Sequence, residues 1–286
     1  MRSSSTSDST DQPANGAVRP ALPWNGRTGV MGILNVTPDS FFDGGRHAAP
    51  EAAEAQASRM AAEGADIIDI GAESSRPRAT PVPEAEELRR LLPAIERVRA
   101  VCALPISVDT AKASVARAAL AAGATWVNDI WGLQGDPAMA AAVAGAAATV
   151  VVMHNQHGTD YPDGLVACIC RFFERSLEIA DRAGIARSHL VLDPGVGFGK
   201  TPPQNLAVLR ALGEFRRFGL PLLLGASRKS VIGHVLDLPA AERLEGSLVT
   251  TVAAAAAGYD LVRVHDVRAH VRAARMADAI YRVSHG

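Results

Sequence analysis

The feature that most constrains the fold is a regular alternation between short apolar runs and longer amphipathic segments, which continues to the C-terminus. The runs are rich in β-branched residues, as strands are, and the intervening segments have helical spacing. Eight runs occur, at residues 30–36, 65–71, 105–109, 125–130, 149–154, 190–195, 221–227 and 260–267. Eight βα units in about 260 residues predict an α/β fold of the (β/α)8 TIM barrel type. A doubly wound open sheet is the alternative.

The first 26 residues differ from the rest of the chain. They are rich in Ser, Thr, Pro and Asn and have no apolar periodicity, so ordering them would cost backbone entropy with little burial. We therefore predict a disordered tail over residues 1–26 and a single domain over residues 27–286. Removal of residues 1–24 is expected to leave folding and activity nearly unchanged. An organelle transit peptide is the alternative, which Asp8 and Asp11 disfavour.

Composition excludes several classes of function. The 29 basic and 30 acidic side chains leave a net charge of -1, so the chain lacks the basic field that binds nucleic acid or an anionic membrane. No uncharged apolar run approaches about 18 residues, and no signal-peptide pattern opens the chain. Cys102, Cys168 and Cys170 have no CxxC spacing and are expected to be thiols. We expect a cytoplasmic protein with neither a nucleic acid nor a membrane as partner.

Polar side chains occur late in almost every predicted strand. They are Asn35, Asp69, Asp109, Asn128, Asp129, His154, Asp193, Ser227 and His265. A buried carboxylate is costly unless it is paired or hydrogen-bonded, and any single one could simply cap a loop or a helix. Because the C-terminal ends of barrel strands converge on one mouth, their repetition predicts a shared ligand site there.

Two loop motifs suggest binding of anions. DPGVGFGKT at 193–201 resembles a phosphate loop, but Pro194 stands where that loop needs glycine, so we interpret it as a glycine-rich turn with Pro202 and Pro203 opening the next helix. In SRKS at 227–230, Ser227 is expected to N-cap a helix whose start forms an anion site with the neighbouring Arg and Lys.

A third motif, the His-x-x-His spacing of His154 and His157, is weaker. No third ligand stands at matching spacing, so a zinc site is disfavoured.

Seven motifs together resemble the dihydropteroate synthase family, over residues 29 to about 284. They are MGILNVTPDSFFDGG at 31–45, DIIDIGAESSRP at 66–77, PISVDT at 105–110, VNDI at 127–130, DPGVGFGKT, GASRKS at 225–230 and RVHDV at 263–267. The resemblance implies the same barrel. It also implies a reaction that joins p-aminobenzoate to 6-hydroxymethyl-7,8-dihydropterin pyrophosphate, giving dihydropteroate and pyrophosphate.

The resemblance assigns roles to individual residues. Asp109, Asn128, Asp193 and Lys229 match the family's pterin contacts. A pterin edge alternates donors and acceptors, so carboxylates can accept from its N–H groups while an amide serves both kinds. The implied catalytic residues are Asp109, Lys229, Arg263 and His265.

Other implied roles concern the second substrate and the leaving group. Asn35 matches the ligand of the magnesium ion (Mg²⁺) that accompanies the pyrophosphate. The residues that match the clamp on that anion are Arg76, Arg263 and His265. Lys229 and Ser230 match the p-aminobenzoate subsite. Two family loops close over its ring, and they carry Phe41 on the first and Ser75 and Pro77 on the second.

In the family's mechanism pyrophosphate leaves first, and the aniline nitrogen then attacks a cation at the exocyclic carbon, with Asp109 beside that cation. Ala72 and Arg78 replace two glycines of the family's second loop. Two alternatives share the pterin contacts: a folate-binding methyltransferase, which would not need SRKS and RVHDV, and a non-catalytic pterin-binding protein. The resemblance further implies a homodimer formed through the outer helices.

Overall fold

The computed structural model describes residues 22, 24, 26–37, 45–73 and 82–282. Four residues assigned above to substrate or pyrophosphate binding, Phe41, Ser75, Arg76 and Pro77, lie outside the described residues.

Eight parallel strands form the centre of the molecule. They are β1 (Gly29–Asn35), β2 (Ile67–Gly71), β3 (Ile106–Asp109), β4 (Trp126–Asp129), β5 (Thr149–Met153), β6 (Leu190–Asp193), β7 (Leu223–Leu224) and β8 (Leu261–Val264). Their order is β6-β5-β4-β3-β2-β1-β8-β7. A parallel bridge between Leu192 and Leu222 joins the two ends of this order. The predicted (β/α)8 barrel is confirmed, and the open-sheet alternative is wrong because the sheet closes on itself.

Helices surround the strands. They are α1 (Gly45–Glu63), α2 (Glu84–Val101), α3 (Ala113–Ala121), α4 (Met139–Gly145), α5 (Leu165–Arg182), α6 (Pro202–Arg210), α7 (Ser230–Leu236), α8 (Leu244–Ala256) and α9 (Val267–Tyr281). Pro202 opens α6 as expected, behind a capping box between Thr201 and Gln204. Within the described part of the chain, no helix is long and apolar enough to cross a membrane.

The barrel interior is divided into an apolar lower layer and a polar upper layer. Alternate residues of a strand share one face, so Ile67 and Asp69 on β2, or Val191 and Asp193 on β6, project to the same side. The lower residues pack into one buried cluster: Leu22, Trp24, Met31, Ile67, Trp126, Val151, Val191, Leu223 and Leu261. The polar residues two positions later therefore lie towards the C-terminal mouth.

An aromatic ring closes the N-terminal end of the barrel. Trp24 stacks on Trp126 with ring centroids 6.4 Å apart, and its Nε1 donates to the carbonyl of Asp260 at 3.0 Å. Leu22 is buried beside it. Two residues of the segment assigned to the tail, Leu22 and Trp24, are thus buried, and removing the first 24 residues would take away a packed ring. Isolated apolar residues in a polar segment have no periodicity, which is why the sequence did not reveal them.

Candidate active site

The mouth of the barrel brings together the side chains that end several strands. Asp109 ends β3, and in the strand register it lies opposite Asn128 on one side and Gly71 on the other. Asp193 ends β6 and is buried, as are Asp109 and Asn128. The predicted grouping of these polar residues at one end of the barrel is what the structure shows.

Arg263 on β8 crosses the barrel interior to two carboxylates. Its Nε donates to Asp69 Oδ2 and its Nη2 to Asp109 Oδ2, both at 2.6 Å. Asp266, although close to Arg263 in sequence, pairs instead with Arg228. Asp69 belongs to the site although the residue-by-residue resemblance gave it no role. In the sequence, the position of Asp69 near the C-terminal end of β2 is the feature that indicates a place in the site.

Burial and charge shift the acid–base properties of this cluster. Burial raises the pKa of Asp109 to about 7, even though the charge of Arg263 opposes the rise. Burial likewise raises the pKa of Asp193, against the charge of Lys229. Burial works against the Arg263 cation too, but Asp69 and Asp109 outweigh it and raise the pKa of Arg263. The cluster thus combines a permanent cation with carboxyl groups that titrate unusually high.

Polar atoms of this cluster still have hydrogen-bonding capacity. Asn128 Oδ1 and Asp69 Oδ1 are buried and accept no hydrogen bond from the described residues. Leaving such an atom unpaired costs about 1–3 kcal/mol, which a ligand with matching donors would recover. On the β7 side of the mouth, a Cβ built on Gly225 would stand 3.5 Å from Asp193 Oδ2 and 3.8 Å from Lys229 Nζ. A carboxylate and a lysine thus adjoin a position where the backbone carries no side chain.

Lys229 lies directly before α7 and reaches back over the turn that follows β6. Its Nζ donates to the carbonyl of Val196 at 2.5 Å and stands 4.6 Å from the centroid of the Phe198 ring. Burial of the ammonium lowers the pKa of Lys229 to about 8, with Asp193 opposing the shift. Ser230 begins α7 and is exposed at the mouth.

Contrary to the prediction, Ser227 does not cap a helix. The N-cap position of α7 is Lys229, and no side chain caps it. Ser227 Oγ instead accepts from the backbone N–H of His265 at 3.2 Å and lies 3.1 Å from its Nδ1. Arg228, with a positive φ of 57°, forms a two-pronged ion pair with Asp266. The loops after β7 and β8 are therefore joined, which fixes His265 beside the SRKS motif.

The glycine-rich turn after β6 is confirmed as a turn. Lys200 points inward, with Nζ 2.8 Å from His154 Nδ1, so it does not present its ammonium to a phosphate. His154 is buried, and burial together with Lys200 lowers its pKa to about 3. The His157 ring packs against that of Trp131 at a tilt of 45°. The described residues contain no cluster of three or more His, Cys, Asp or Glu side chains able to hold a metal.

Asn35 and the base of the second loop lie on the β1–β2 side of the mouth. A Cβ built on Gly71 would stand 3.7 Å from Asn35 Oδ1 and equally far from Asp109 Oδ2. Ala72, which replaces a family glycine, is fully buried in the core. Glu73 accepts a hydrogen bond from the backbone N–H of Val82 at 3.0 Å. This bond links the residues on either side of the second loop.

The barrel and its polar mouth define a class of protein. The chain matches the family described as pterin binding enzyme over residues 31–265. It is 48% identical over 260 residues to the dihydropteroate synthase of Bacillus subtilis, with 91% of each chain covered.

Solved structures agree with this match. A dihydropteroate synthase from Clostridium difficile, determined in the presence of pteroic acid, superposes with a TM-score of 0.88 at 51% identity, covering 90% of this chain and 98% of that one. A dihydropteroate synthase from Xanthomonas albilineans with 4-aminobenzoic acid gives 0.86 at 46% identity, covering 90% and 94%. The chain belongs to the dihydropteroate synthase family of pterin-binding enzymes, transferases of folate biosynthesis. The methyltransferase and non-catalytic alternatives have no support in these matches.

Proposed function

We propose that the C-terminal mouth of the barrel binds 6-hydroxymethyl-7,8-dihydropterin pyrophosphate and p-aminobenzoate, and releases 7,8-dihydropteroate and pyrophosphate. The observation that carries the assignment is the cluster of buried Asp109, Asn128 and Asp193 on three strands, with the partly buried Arg263 on a fourth. Several acceptors at fixed positions in a desolvated site suit a flat heterocycle with N–H donors along one edge.

The pterin binds deepest. Asp193 accepts from ring and amino N–H groups, and the Asn128 amide pairs with both kinds of edge group. Lys229 lies above Asp193 and neutralises part of its charge. Asp109, held by Arg263, faces the reacting end of the pterin.

Bond breaking precedes bond making. The bond between the exocyclic carbon and the pyrophosphate oxygen breaks, with the electron pair leaving on the oxygen. The aniline nitrogen of p-aminobenzoate then forms a bond to that carbon and loses a proton to solvent or to the departing anion. The developing cation is stabilised by the Asp109 carboxylate, so Asp109 acts electrostatically and no strong base is needed.

The pyrophosphate leaves towards Arg263 on β8 and His265, which directly follows the end of that strand. We assign Arg76, outside the described residues, to the same anion. Asn35 fits one coordination position of Mg²⁺, because this ion takes one or two protein oxygens and obtains the rest from phosphates and water. When bound, Mg²⁺ would stabilise the negative charge that accumulates on the leaving group.

We assign the p-aminobenzoate subsite to Lys229 and Ser230, with Phe41, Ser75 and Pro77 contributed by the two loops. The carboxylate of p-aminobenzoate is attracted by the Lys229 ammonium at the start of α7. An anilino sulfonamide presents the same amine and ring with an anionic group, so sulfonamides should compete for this subsite. Inhibition that added p-aminobenzoate fails to relieve would contradict the assignment.

Incubation of the purified protein with both substrates and magnesium tests the proposed reaction. We expect dihydropteroate and pyrophosphate to form in equal amounts, and Asp193→Asn to form little of either. Pyrophosphate released at the same rate without p-aminobenzoate, and no dihydropteroate, would contradict the proposal.

We also propose that the enzyme is a cytoplasmic homodimer. Six large apolar side chains are exposed on the last three helices: Val235, Leu236, Val249, Met276, Ile280 and Tyr281. Such a surface suits a second copy of the chain. The three cysteines are free thiols, as in reducing compartments. Light scattering should give the mass of two chains for the wild type and of one chain for Val249→Glu. A monomeric wild type would contradict the dimer.

A further inference from the structure

The Lys200 side chain is unexplained by the pterin site, although it belongs to the most conspicuous motif of the sequence. Lys200 is nine-tenths buried. Its Nζ contacts three groups: His154 Nδ1 at 2.8 Å, the Gly195 carbonyl at 2.9 Å and the Phe198 carbonyl at 3.0 Å. An ammonium has three N–H donors, and all three contacts can accept, so the group is fully satisfied inside the turn.

The turn that Lys200 holds is tightly constrained. Gly195 has a positive φ of 69°, and a Cβ on it would stand 1.9 Å from the His154 carbonyl, so only glycine fits there. Gly197 N–H donates to Asn205 Oδ1 at 2.6 Å, and Tyr161 OH donates to the Gly199 carbonyl at 2.7 Å. Lys200 bonds the carbonyls near both ends of this turn and therefore fixes its shape.

The other side of the same turn supports Lys229. Lys229 Nζ donates to the Val196 carbonyl and lies over the Phe198 ring. A Cβ on Gly197 would stand 3.0 Å from Lys229 Cδ, so the lysine stem packs directly on the turn backbone. The position of the Lys229 ammonium thus depends on residues 196–198, which lie between the carbonyls that Lys200 binds.

We infer that Lys200 is a positioning residue, which fixes the turn at 195–199 and thereby places the Lys229 ammonium between Asp193 and the p-aminobenzoate subsite. The inference rests on the proposed binding role of Lys229. It assigns the Gly-Lys-Thr sequence to support of a second lysine rather than to direct binding of phosphate. If Lys200 were only structural, its loss would lower stability without depending on Lys229.

A double-mutant cycle between the two lysines tests the inference. The dissociation constant of 7,8-dihydropteroate, which occupies both subsites, is measured by calorimetry and needs no turnover. Lys200→Met keeps the length of the stem and removes the charge. We expect it to weaken binding about 5- to 10-fold in the wild-type background and less than about 2-fold in the Lys229→Met background.

A control variant and a second test variant complete the cycle. Thr251→Val removes a buried contact to His270, 2.7 Å long, between α8 and α9, and should lower stability without changing the dissociation constant. If Lys200→Met does not fold, Tyr161→Phe releases the far end of the same turn. We expect it to weaken binding about 2- to 3-fold, again only when Lys229 is present.

The outcomes are distinguishable. Equal weakening by Lys200→Met in both backgrounds would overturn the inference while leaving the proposed function intact. An unchanged dissociation constant in Lys229→Met alone would instead contradict the binding role of Lys229, and the inference would fall with it.

Discussion

The two layers of the barrel interior are built from the same strands but have opposite chemistry. Lower positions are apolar and upper positions polar in four pairs two residues apart: Ile67 and Asp69, Trp126 and Asn128, Val191 and Asp193, Leu261 and Arg263. Burial of a large apolar side chain stabilises a fold by about 1.5–3 kcal/mol, whereas a buried charge is costly unless it is paired. The lower layer therefore offsets the cost of the upper one, and position along a strand decides which role a residue has.

Arg263→Ala is expected to have the largest effect because it removes the cation from the polar upper layer. It removes a proposed ligand of the pyrophosphate, which should lower turnover about 10²- to 10³-fold. It also leaves Asp69 and Asp109 buried without their cation, which should lower the free energy of unfolding by about 3–5 kcal/mol. Turnover assays and urea titration measure the two effects. Unchanged stability would show that the ion pairs are not what holds this layer together.

His265→Ala is the variant of the upper layer that affects chemistry alone. We expect turnover about 10²-fold lower, with thermal stability and pterin affinity close to those of the wild type. Extra magnesium should restore little, because the proposed ion contacts other oxygens of the same anion. Turnover within about 2-fold of the wild type would remove His265 from the proposed clamp.

Trp24→Ala tests the lower layer in the same way. Loss of the ring that stacks on Trp126 should lower the free energy of unfolding by about 3 kcal/mol. The Michaelis constants of the folded enzyme should not change, since the ring lies at the opposite end of the barrel. Removal of residues 1–21 serves as the control and should be neutral, whereas removal of residues 1–24 should resemble Trp24→Ala.

The pH dependence of stability should show the smallest effect. The pKa of Asp109 is about 7 in the fold. Between about pH 4 and 7 the folded protein therefore retains a proton that the unfolded chain has released, and stability falls as the pH rises through this window. Asp109→Asn should make that fall shallower. Denaturant titrations across this range measure the slope. An unchanged slope in Asp109→Asn would contradict the raised pKa.

The fold was predictable because each strand and helix carries its own period. Seven of the eight predicted apolar runs contain strands of four or more residues, and only the run at 221–227 contains a strand as short as Leu223–Leu224. The packing of Trp24 at the N-terminal end of the barrel was not predicted, since this residue is a single aromatic in a polar segment. Its partners, Trp126 and Asp260, are distant in sequence.

The site was predictable as a set of residues but not as a network. Strand ends and motifs identified Asp109, Asn128 and Asp193, yet the links of Arg263 span 194 and 154 residues and depend on closure of the barrel. The role of Lys200 was not predictable for a related reason. The sequence indicates a glycine-rich turn, but the three acceptors that hold the Lys200 ammonium inside it are set by the turn geometry.

The affinity of the pocket for a pterin tests the central assignment most directly. Calorimetric titration with 6-hydroxymethyl-7,8-dihydropterin compares the wild type with Asp109→Asn, Asp193→Asn and the lower-layer variant Trp126→Phe. An amide in place of either carboxylate sets a donor against a donor, so affinity should fall about 5- to 150-fold, equivalent to 1–3 kcal/mol. Trp126→Phe should bind within about 2-fold of the wild type. Unchanged affinity in both carboxylate variants would place the pterin outside the mouth of the barrel.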